Sequence, residues 1–281
     1  MPAADKMLAT VRRAKELTRE TAGRNGVVVR LQNCTEVLVA GDLHGHVPNF
    51  QAIYKKADLG NHPTRHLVLQ EVIHGKGRYP NGSDKSHQIV DLFAALKCQF
   101  PTQVHLLPGN HELAQWTGRP VGKAEDASLN KLFQDGVNTA YGSTFGPSIY
   151  SEYLELFKAC PLAYRTPNAV YISHSMPPAR HMPSLDLSRL ELGRLLDVDY
   201  QPGGLAYWLL WGRDTADQTV DDFLRKVDAD LLVSGHIPTD NGYDVPNHKQ
   251  LIVDCSASPA AFVLFPADRK LTHAELVRSV V

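Results

Sequence analysis

Residues 36–46, EVLVAGDLHGH, decide the fold of this 281-residue chain. Glu36 is followed by four apolar residues, 37–40, a run rich in valine that is typical of a strand buried on both faces. The run leads directly into Asp42 and His44, each next to a glycine, so a carboxylate and an imidazole project on the same side of an extended segment. Such a pair can chelate a cation, and the stretch therefore predicts a strand that ends in a metal site.

Similar apolar runs recur along the chain and alternate with segments of helical periodicity. This alternation predicts a layered α/β fold, in which ligands bind at the carboxyl ends of the strands. The predicted strands are residues 36–40, 66–70, 104–107, 170–173, 231–234 and 251–254. The clearest helices are residues 84–97 and 219–227, whereas residues 116–150 are predicted to be an irregular connection with short helices.

Three further strand ends carry residues that bind metals or transfer protons. The run VHLLP is followed by Asn110 and His111, YIS by His174, and LLVSG by His236. An amide oxygen is a fair ligand for a cation, while the imidazole of His111 can serve as a general acid instead of a ligand. Four strand ends with such residues predict that the side chains converge in one site.

The motifs GDLHG, GNHE, the later His174 and the GH of SGHIPTDNGYD resemble those of the phosphoprotein-phosphatase branch of the calcineurin-like metallophosphoesterases. The resemblance extends over residues 35–271, and the chain looks like a bacterial-type, divergent member. It implies a four-layer fold of two packed mixed β-sheets flanked by helices. It also implies a phosphatase that hydrolyses phosphomonoesters.

The resemblance further implies a dinuclear metal centre. Two divalent ions, manganese, iron or zinc, are expected, with manganese the expected ion in vitro. The implied ligands are Asp42 and His44 for the first ion, and Asn110, His174 and His236 for the second. A hydroxide between the ions would attack phosphorus while His111 protonates the leaving oxygen, and Asn110 would also contact the substrate.

The second family motif, G-D-x-x-D-R-G, is altered here to QEVIHGKGRYPNG. Glu71 is the candidate for the carboxylate that bridges the two ions; the alternative is an exposed glutamate and at most one tightly bound ion. His74 stands where the family has the aspartate that orients the catalytic histidine. Arg78, in an apparent insertion, is the candidate that contacts substrate phosphate in place of the family arginine, and Lys76 is a second. Arg213 of WGRD is either another phosphate contact or a surface ion-pair partner.

Three functions are compatible with these motifs. The leading hypothesis is a metal-dependent phosphoester hydrolase of the protein serine/threonine phosphatase type. A nucleotide or dinucleoside polyphosphate hydrolase is the first alternative, and an inactive metal-binding regulatory module is the second, motivated by the altered motif. An open channel would favour a peptide, whereas an aromatic or apolar slot would favour a nucleotide.

Composition limits the partners. The net charge is -1, without a basic run, so no nucleic-acid binding is expected and the partner should be a phosphorylated protein or small phosphoester. No segment resembles a signal peptide or a membrane span, which predicts a cytoplasmic protein without membrane contact. The chain is predicted to comprise an N-terminal helical extension, residues 1–25, and a metallophosphoesterase domain, residues 26–281.

Overall fold

The computed structural model describes residues 3–121 and 128–281 and contains two mixed β-sheets. The strands in chain order are β1 (Arg24–Asn25), β2 (Val28–Arg30), β3 (Glu36–Asp42), β4 (Arg65–Gln70), β5 (Val104–Leu107), β6 (Ala163–Arg165), β7 (Val170–Ser173), β8 (Leu231–Ser234), β9 (Tyr243–Asp244), β10 (Gln250–Val253) and β11 (Phe262–Pro266). The six predicted strands correspond to β3, β4, β5, β7, β8 and β10. Short strands such as β1 and β9 lack an apolar run that would predict them.

The sheet that carries the GDLHG and GNHE motifs has the order β11-β3-β4-β5, with β3, β4 and β5 parallel. The other sheet has the order β1-β2-β6-β7-β8-β10-β9, and its strands β7, β8 and β10 are parallel. The two sheets meet at an edge where Asp42 forms an isolated parallel bridge with Asp254. The carboxyl ends of parallel strands from both sheets therefore lie close together.

The sheets pack face to face, and helices cover their outer faces. Val37 and Val39 of β3 lie in the apolar layer between the sheets, while Leu38 and Ala40 contact the outer helices. On the other sheet, Leu232 of β8 likewise faces outward into a helical layer. Side chains of a strand alternate between its two faces, so both faces of these strands must be apolar. The predicted four-layer arrangement is confirmed.

The helices are α1 (Ala4–Arg19), α2 (Val47–Ala57), α3 (His87–Gln99), α4 (Asn110–Thr117), α5 (Leu129–Ala159), α6 (Arg189–Leu192), α7 (Leu205–Trp211), α8 (Asp217–Lys226) and α9 (His273–Arg278), with 3₁₀ turns at Met182–Ser184 and Asp197–Tyr200. The helix α1 buries Met7, Val11 and Ala14 in the same core as α3 and α5. The division into residues 1–25 and 26–281 stays a prediction. Among the described residues, no helix is both long and apolar enough to cross a bilayer.

The prediction of an irregular connection at residues 116–150 is wrong for most of that stretch, of which residues 122–127 lie outside the described residues. Its larger part belongs to α5, which is kinked at Gly142, where φ is 71°. The many glycine and polar residues obscure an apolar face that is visible only at helical spacing. The buried residues of that face include Phe133, Val137, Tyr141, Ile149, Tyr153, Leu156 and Phe157.

Candidate metal centre and active site

Glu71 lies at the centre of the side chains gathered at the strand ends. Its Oε2 is 3.3 Å from Nε2 of His44, and its Oε1 is 3.6 Å from Nε2 of His174. Oε1 also accepts a hydrogen bond of 2.8 Å from the backbone N–H of His111. Glu71 is 1% exposed, so the alternative of an exposed strand-end glutamate is wrong.

The other predicted ligands surround this carboxylate. Nδ1 of His174 is 3.5 Å from Oδ1 of Asp42, and its Nε2 is 3.2 Å from Oδ1 of Asn110. The backbone N–H of His236 donates to Oδ2 of Asp42 at 2.9 Å, and the imidazoles of His174 and His236 lie 4.9 Å apart. The fold therefore brings together all six side chains that the sequence predicts as ligands.

Three of these side chains are attached to backbone in the left-handed region. The φ angles are 40° at His44, 34° at Glu71 and 68° at His236. This conformation is uncommon for residues other than glycine and costs about 1 kcal/mol or more at each position. Such strain persists where the surrounding structure over-determines it, and it accumulates at functional sites.

Two glycines allow the carboxylates to lie against bare backbone. A Cβ atom at Gly109 would overlap Oε1 of Glu71, and one at Gly235 would overlap Oδ1 of Asp42. Both glycines precede predicted ligands, Asn110 and His236. The G-N-H and G-H patterns thus have a steric reason, because any side chain would displace a carboxylate from the centre.

Glu112 holds two segments of the site in place, a role that the sequence analysis did not assign to it. Its Oε1 accepts hydrogen bonds from the backbone of Val72 at 2.8 Å and Ile73 at 3.2 Å, and its Oε2 accepts one from Gly109 at 2.8 Å. Burial, followed by the nearby charge of Glu71, raises the pKa of Glu112 to about 7. The capping-box pattern G-x-x-E could have indicated the contact with Gly109 but not those with the β4 loop.

The charges at this site favour a bound cation. Burial raises the pKa of Asp42 well above its usual value, and the charge of Glu71 adds to this effect. Burial alone would lower the pKa of His44, but Glu71 and Asp42 outweigh it and raise that pKa to about 10. Burial lowers the pKa of His174 to about 4, so this imidazole is neutral, the form in which histidine binds metals.

Unpartnered atoms test whether a metal would fit. Within the described ranges, Oδ1 of Asp42, Nδ1 of His174 and Nε2 of His236 are buried without a hydrogen-bond partner. Leaving such groups unsatisfied costs about 1–3 kcal/mol each, which a cation would offset. Ligand atoms of Asp42, Glu71 and His174 lie within 4.8 Å of one another, as do those of His44, Glu71 and His111. The residues fit divalent metals, and Glu71 belongs to both groups.

His111 lies beside this centre and contacts a second histidine. Its ring lies 4.7 Å from that of His44, and its Nδ1 is 2.9 Å from Nδ1 of His74. Burial lowers the pKa of His111 and brings that of His74 to about 3. His74 therefore stands next to His111, at the place where the family resemblance implied an aspartate.

A cavity of about 230 Å³ opens beside His44 and His111 and is lined also by His74, Lys76 and Ser256. Arg78, in contrast, donates to the carbonyl oxygens of Gly75 and Gly77 and lies 3.5 Å from Asp84. The guanidinium would have to leave these partners to reach a phosphate. Lys76 thus lies nearer the centre, while the role of Arg78 stays a prediction.

Burial lowers the pKa values of His111, His174 and His236, and the charge of Arg213 contributes to each of these shifts, so Arg213 lies near the three imidazoles. The side chain is exposed and forms no ion pair within residues 3–121 and 128–281. Both roles of Arg213, a phosphate contact or a surface ion-pair partner, stay predictions.

Removing single ligands should test the centre. His44→Ala and His236→Ala are each expected to lose bound metal and to lower kcat by at least about 10²-fold, because each removes an imidazole from the cluster. Elemental analysis and turnover of p-nitrophenyl phosphate measure the two effects. His248→Ala, which removes an exposed imidazole paired with Asp217 and Asp221, is the control and should keep both properties. Wild-type metal content and rate in either test variant would contradict the assignment.

The sequence of this chain is similar to those of known phosphatases. Residues 35–240 match the family described as Calcineurin-like phosphoesterase. A protein of Encephalitozoon cuniculi (strain GB-M1) named "Probable serine/threonine-protein phosphatase" is 27% identical over 249 residues, 82% of this chain and 48% of that protein. Serine/threonine-protein phosphatase 5 of Solanum lycopersicum is 26% identical over 255 residues, 82% of this chain and 41% of that protein.

Among solved structures, a protein serine/threonine phosphatase from Saccharomyces cerevisiae superposes with a TM-score of 0.71 at 18% identity. The superposition covers 100% of this chain and 89% of the yeast chain. At this identity the likeness concerns the fold. The chain spans less than half the length of the two curated relatives named above.

Proposed function

The chain belongs to the calcineurin-like phosphoesterase family, and we propose that it is a metal-dependent phosphomonoesterase of the protein serine/threonine phosphatase type. The observation that carries the proposal is the position of Glu71, whose carboxylate lies within reach of both groups of ligand atoms and beside the candidate general acid His111. The names of the curated relatives support the substrate class.

The proposed centre binds two ions, since one carboxylate is common to the two groups of ligand atoms. The mixture of imidazole and carboxylate ligands suits manganese, iron or zinc. When bound, divalent ions polarise the phosphoryl group and acidify a water molecule that serves as the nucleophile. In the assignment that the family resemblance implies, Asp42, His44 and Glu71 would hold one ion, and Glu71, Asn110, His174 and His236 the other; in the structure Asp42 groups with His174 through Glu71.

The remaining polar residues would act on the substrate. His111, beside the cavity, donates a proton to the leaving oxygen, which converts an alkoxide into a good leaving group. Lys76 lines the cavity and the charge of Arg213 acts on His111, so both would contribute positive charge near the phosphate oxygens of a substrate. The cavity of about 230 Å³ accommodates a phosphoryl group and part of its alcohol.

Turnover tests the proposal directly. The metal-reconstituted protein should release phosphate from phosphoserine or phosphothreonine peptides and from p-nitrophenyl phosphate, and chelation should abolish the release. Absence of turnover on all these substrates with manganese, iron and zinc would contradict the proposal. It would then favour the inactive metal-binding module.

One observation favours a nucleotide phosphoester as a second candidate substrate. The ring of Trp211 lies 6.4 Å from that of His236, and Tyr207 stacks on Trp211 at 5.8 Å. Aromatic rings at this place offer a surface on which a base can stack. Preference for dinucleoside polyphosphates over phosphopeptides in kcat/KM would assign the enzyme to this second class.

The phosphate contacts lead to a separate prediction. Lys76→Ala should leave metal content unchanged and raise the inhibition constant for phosphate or vanadate several-fold, because a charge beside the cavity is lost. If Arg78 instead exchanges its partners for substrate, Arg78→Ala should have the same effect and Arg78→Lys should rescue it only partly. Inhibition assays on the three variants measure this. Unchanged inhibition in a variant assigns that residue to the surrounding loop.

A further inference from the structure

A buried hydrogen-bonded chain leads away from His111 and ends in the helical layer. His111 contacts His74 through their two Nδ1 atoms at 2.9 Å, and Nε2 of His74 is 2.7 Å from Oε1 of Gln115. The amide nitrogen of Gln115 donates to the backbone oxygen of Asn130 at 3.1 Å and to the hydroxyl of Tyr150 at 2.8 Å. His74 and Gln115 are 7% and 3% exposed, so water cannot easily replace these partners.

The partners fix the direction of every hydrogen bond in this chain. The carbonyl oxygen of Asn130 can only accept, so the atom of Gln115 that faces it must be the amide nitrogen. Oε1 of Gln115 is then the atom that faces His74 and can only accept, so Nε2 of His74 carries a proton. In a neutral His74 the lone pair lies on Nδ1, and it must accept from Nδ1–H of His111.

We propose that His74 and Gln115 are positioning residues that fix His111 with its proton on Nδ1 and its exchangeable position at Nε2. The inference rests on the proposed function, in which Nε2 of His111 gives its proton to the leaving oxygen. Before that step the neutral ring takes up a second proton from solvent at Nε2; in the step this Nε2–H bond breaks, a bond from the proton to the leaving oxygen forms, and the imidazolium returns to the neutral Nδ1–H form. The chain ensures that only Nε2 can release the proton.

This arrangement differs from a histidine held by a carboxylate. A neutral imidazole acceptor orients the ring without adding a negative charge next to the centre. The direction of the chain depends on the glutamine amide, two residues away from His111 along the hydrogen bonds. A residue that never contacts substrate should therefore affect the chemical step more than substrate binding.

The first test uses four variants. His74→Leu, which removes the acceptor, should lower kcat roughly 10- to 100-fold while KM stays within about twofold, as for other residues that orient a functional imidazole. His74→Asn places an amide oxygen near the former Nδ1 and should recover part of the loss. Gln115→Leu should lower kcat less, and the double variant with His74→Leu should be no slower than His74→Leu alone, since both act through one chain.

The matched control is a second buried histidine pair. His66 and His105 are joined at 2.9 Å between Nδ1 and Nε2, and their rings stack at 5.1 Å. His66 lies in β4, five residues before Glu71, which follows the end of that strand. At a rise of about 3.3 Å per residue, His66 is about 16 Å from Glu71 along the strand. His66→Asn disturbs a buried histidine pair away from the centre and should leave kcat and KM unchanged.

The second test does not depend on activity. In protein labelled with ¹⁵N-histidine, nuclear magnetic resonance reports which ring nitrogen of His111 carries the proton. We expect Nδ1–H in the wild type and a mixture of tautomers in His74→Leu, with unchanged metal content in both. An Nε2–H tautomer in the wild type, or the same tautomer in both proteins, would overturn the proposal. If the wild type shows Nδ1–H but hydrolyses no phosphoester, the proposed function fails while the hydrogen-bond inference stands.

Discussion

Glu71→Gln is expected to reduce bound divalent metal from about two ions per chain to one or none. The glutamine has the same size and can still accept the hydrogen bond that His111 donates at 2.8 Å, so the local backbone should persist. The substitution removes only the negative charge, and a neutral amide cannot offset two divalent charges held within about 4 Å of each other. We expect kcat to fall at least about 10²-fold.

Elemental analysis, isothermal titration with manganese and turnover of p-nitrophenyl phosphate measure these effects. Glu71→Asp is the matched variant, because it keeps the charge but shortens the reach, and it should bind more metal than Glu71→Gln. Circular dichroism should be the same for all three proteins. Two tightly bound ions in Glu71→Gln would contradict the bridging role.

His111→Asn should retain metal and lower kcat by roughly 10²- to 10⁴-fold on substrates with poor leaving groups, the range expected when a general acid is removed. Phosphoserine needs protonation of its leaving alkoxide, whereas p-nitrophenolate leaves without it. The fall in kcat should therefore be smaller on p-nitrophenyl phosphate than on phosphoserine.

The comparison of two leaving groups separates the possible roles of His111. Its ring also lies close enough to His44 and Glu71 to share a metal with them. Loss of metal in His111→Asn would identify the residue as a ligand. Equal losses on phosphoserine and p-nitrophenyl phosphate, with metal retained, would remove the acid role.

Much of the site was predictable because its residues follow strands. An apolar run predicts a strand, and parallel strands bring their carboxyl ends to one edge of a sheet. Four of the ligands lie at or just after such strand ends: Asp42, Asn110, His174 and His236. The place of Glu71 was also predictable, although its residue type departs from the family motif. These inferences depend only on short stretches of sequence.

Other parts could not be read from the sequence, since they depend on contacts between distant segments. Gln115 lies on α4, but its orientation is set by Asn130 and Tyr150 of α5. The glycines of α5 made this helix difficult to predict from the sequence. Glu112 likewise binds backbone N–H groups 39 and 40 residues away. Neither set of contacts has a local pattern, because the partners are distant in sequence and backbone N–H and C=O groups carry no residue identity.

The two glycines that contact the carboxylates of Glu71 and Asp42 affect which size of metal ion the site can bind. Oε1 of Glu71 and Oδ1 of Asp42 lie against Gly109 and Gly235, so the backbone at these glycines limits how far each oxygen can move in that direction. Calcium requires oxygen distances of about 2.3–2.6 Å and six to eight ligands, whereas zinc binds carboxylate oxygen at about 2.0–2.2 Å with four. We therefore expect the site to favour ions with short metal–oxygen distances, so that calcium displaces manganese or zinc poorly in a competition titration.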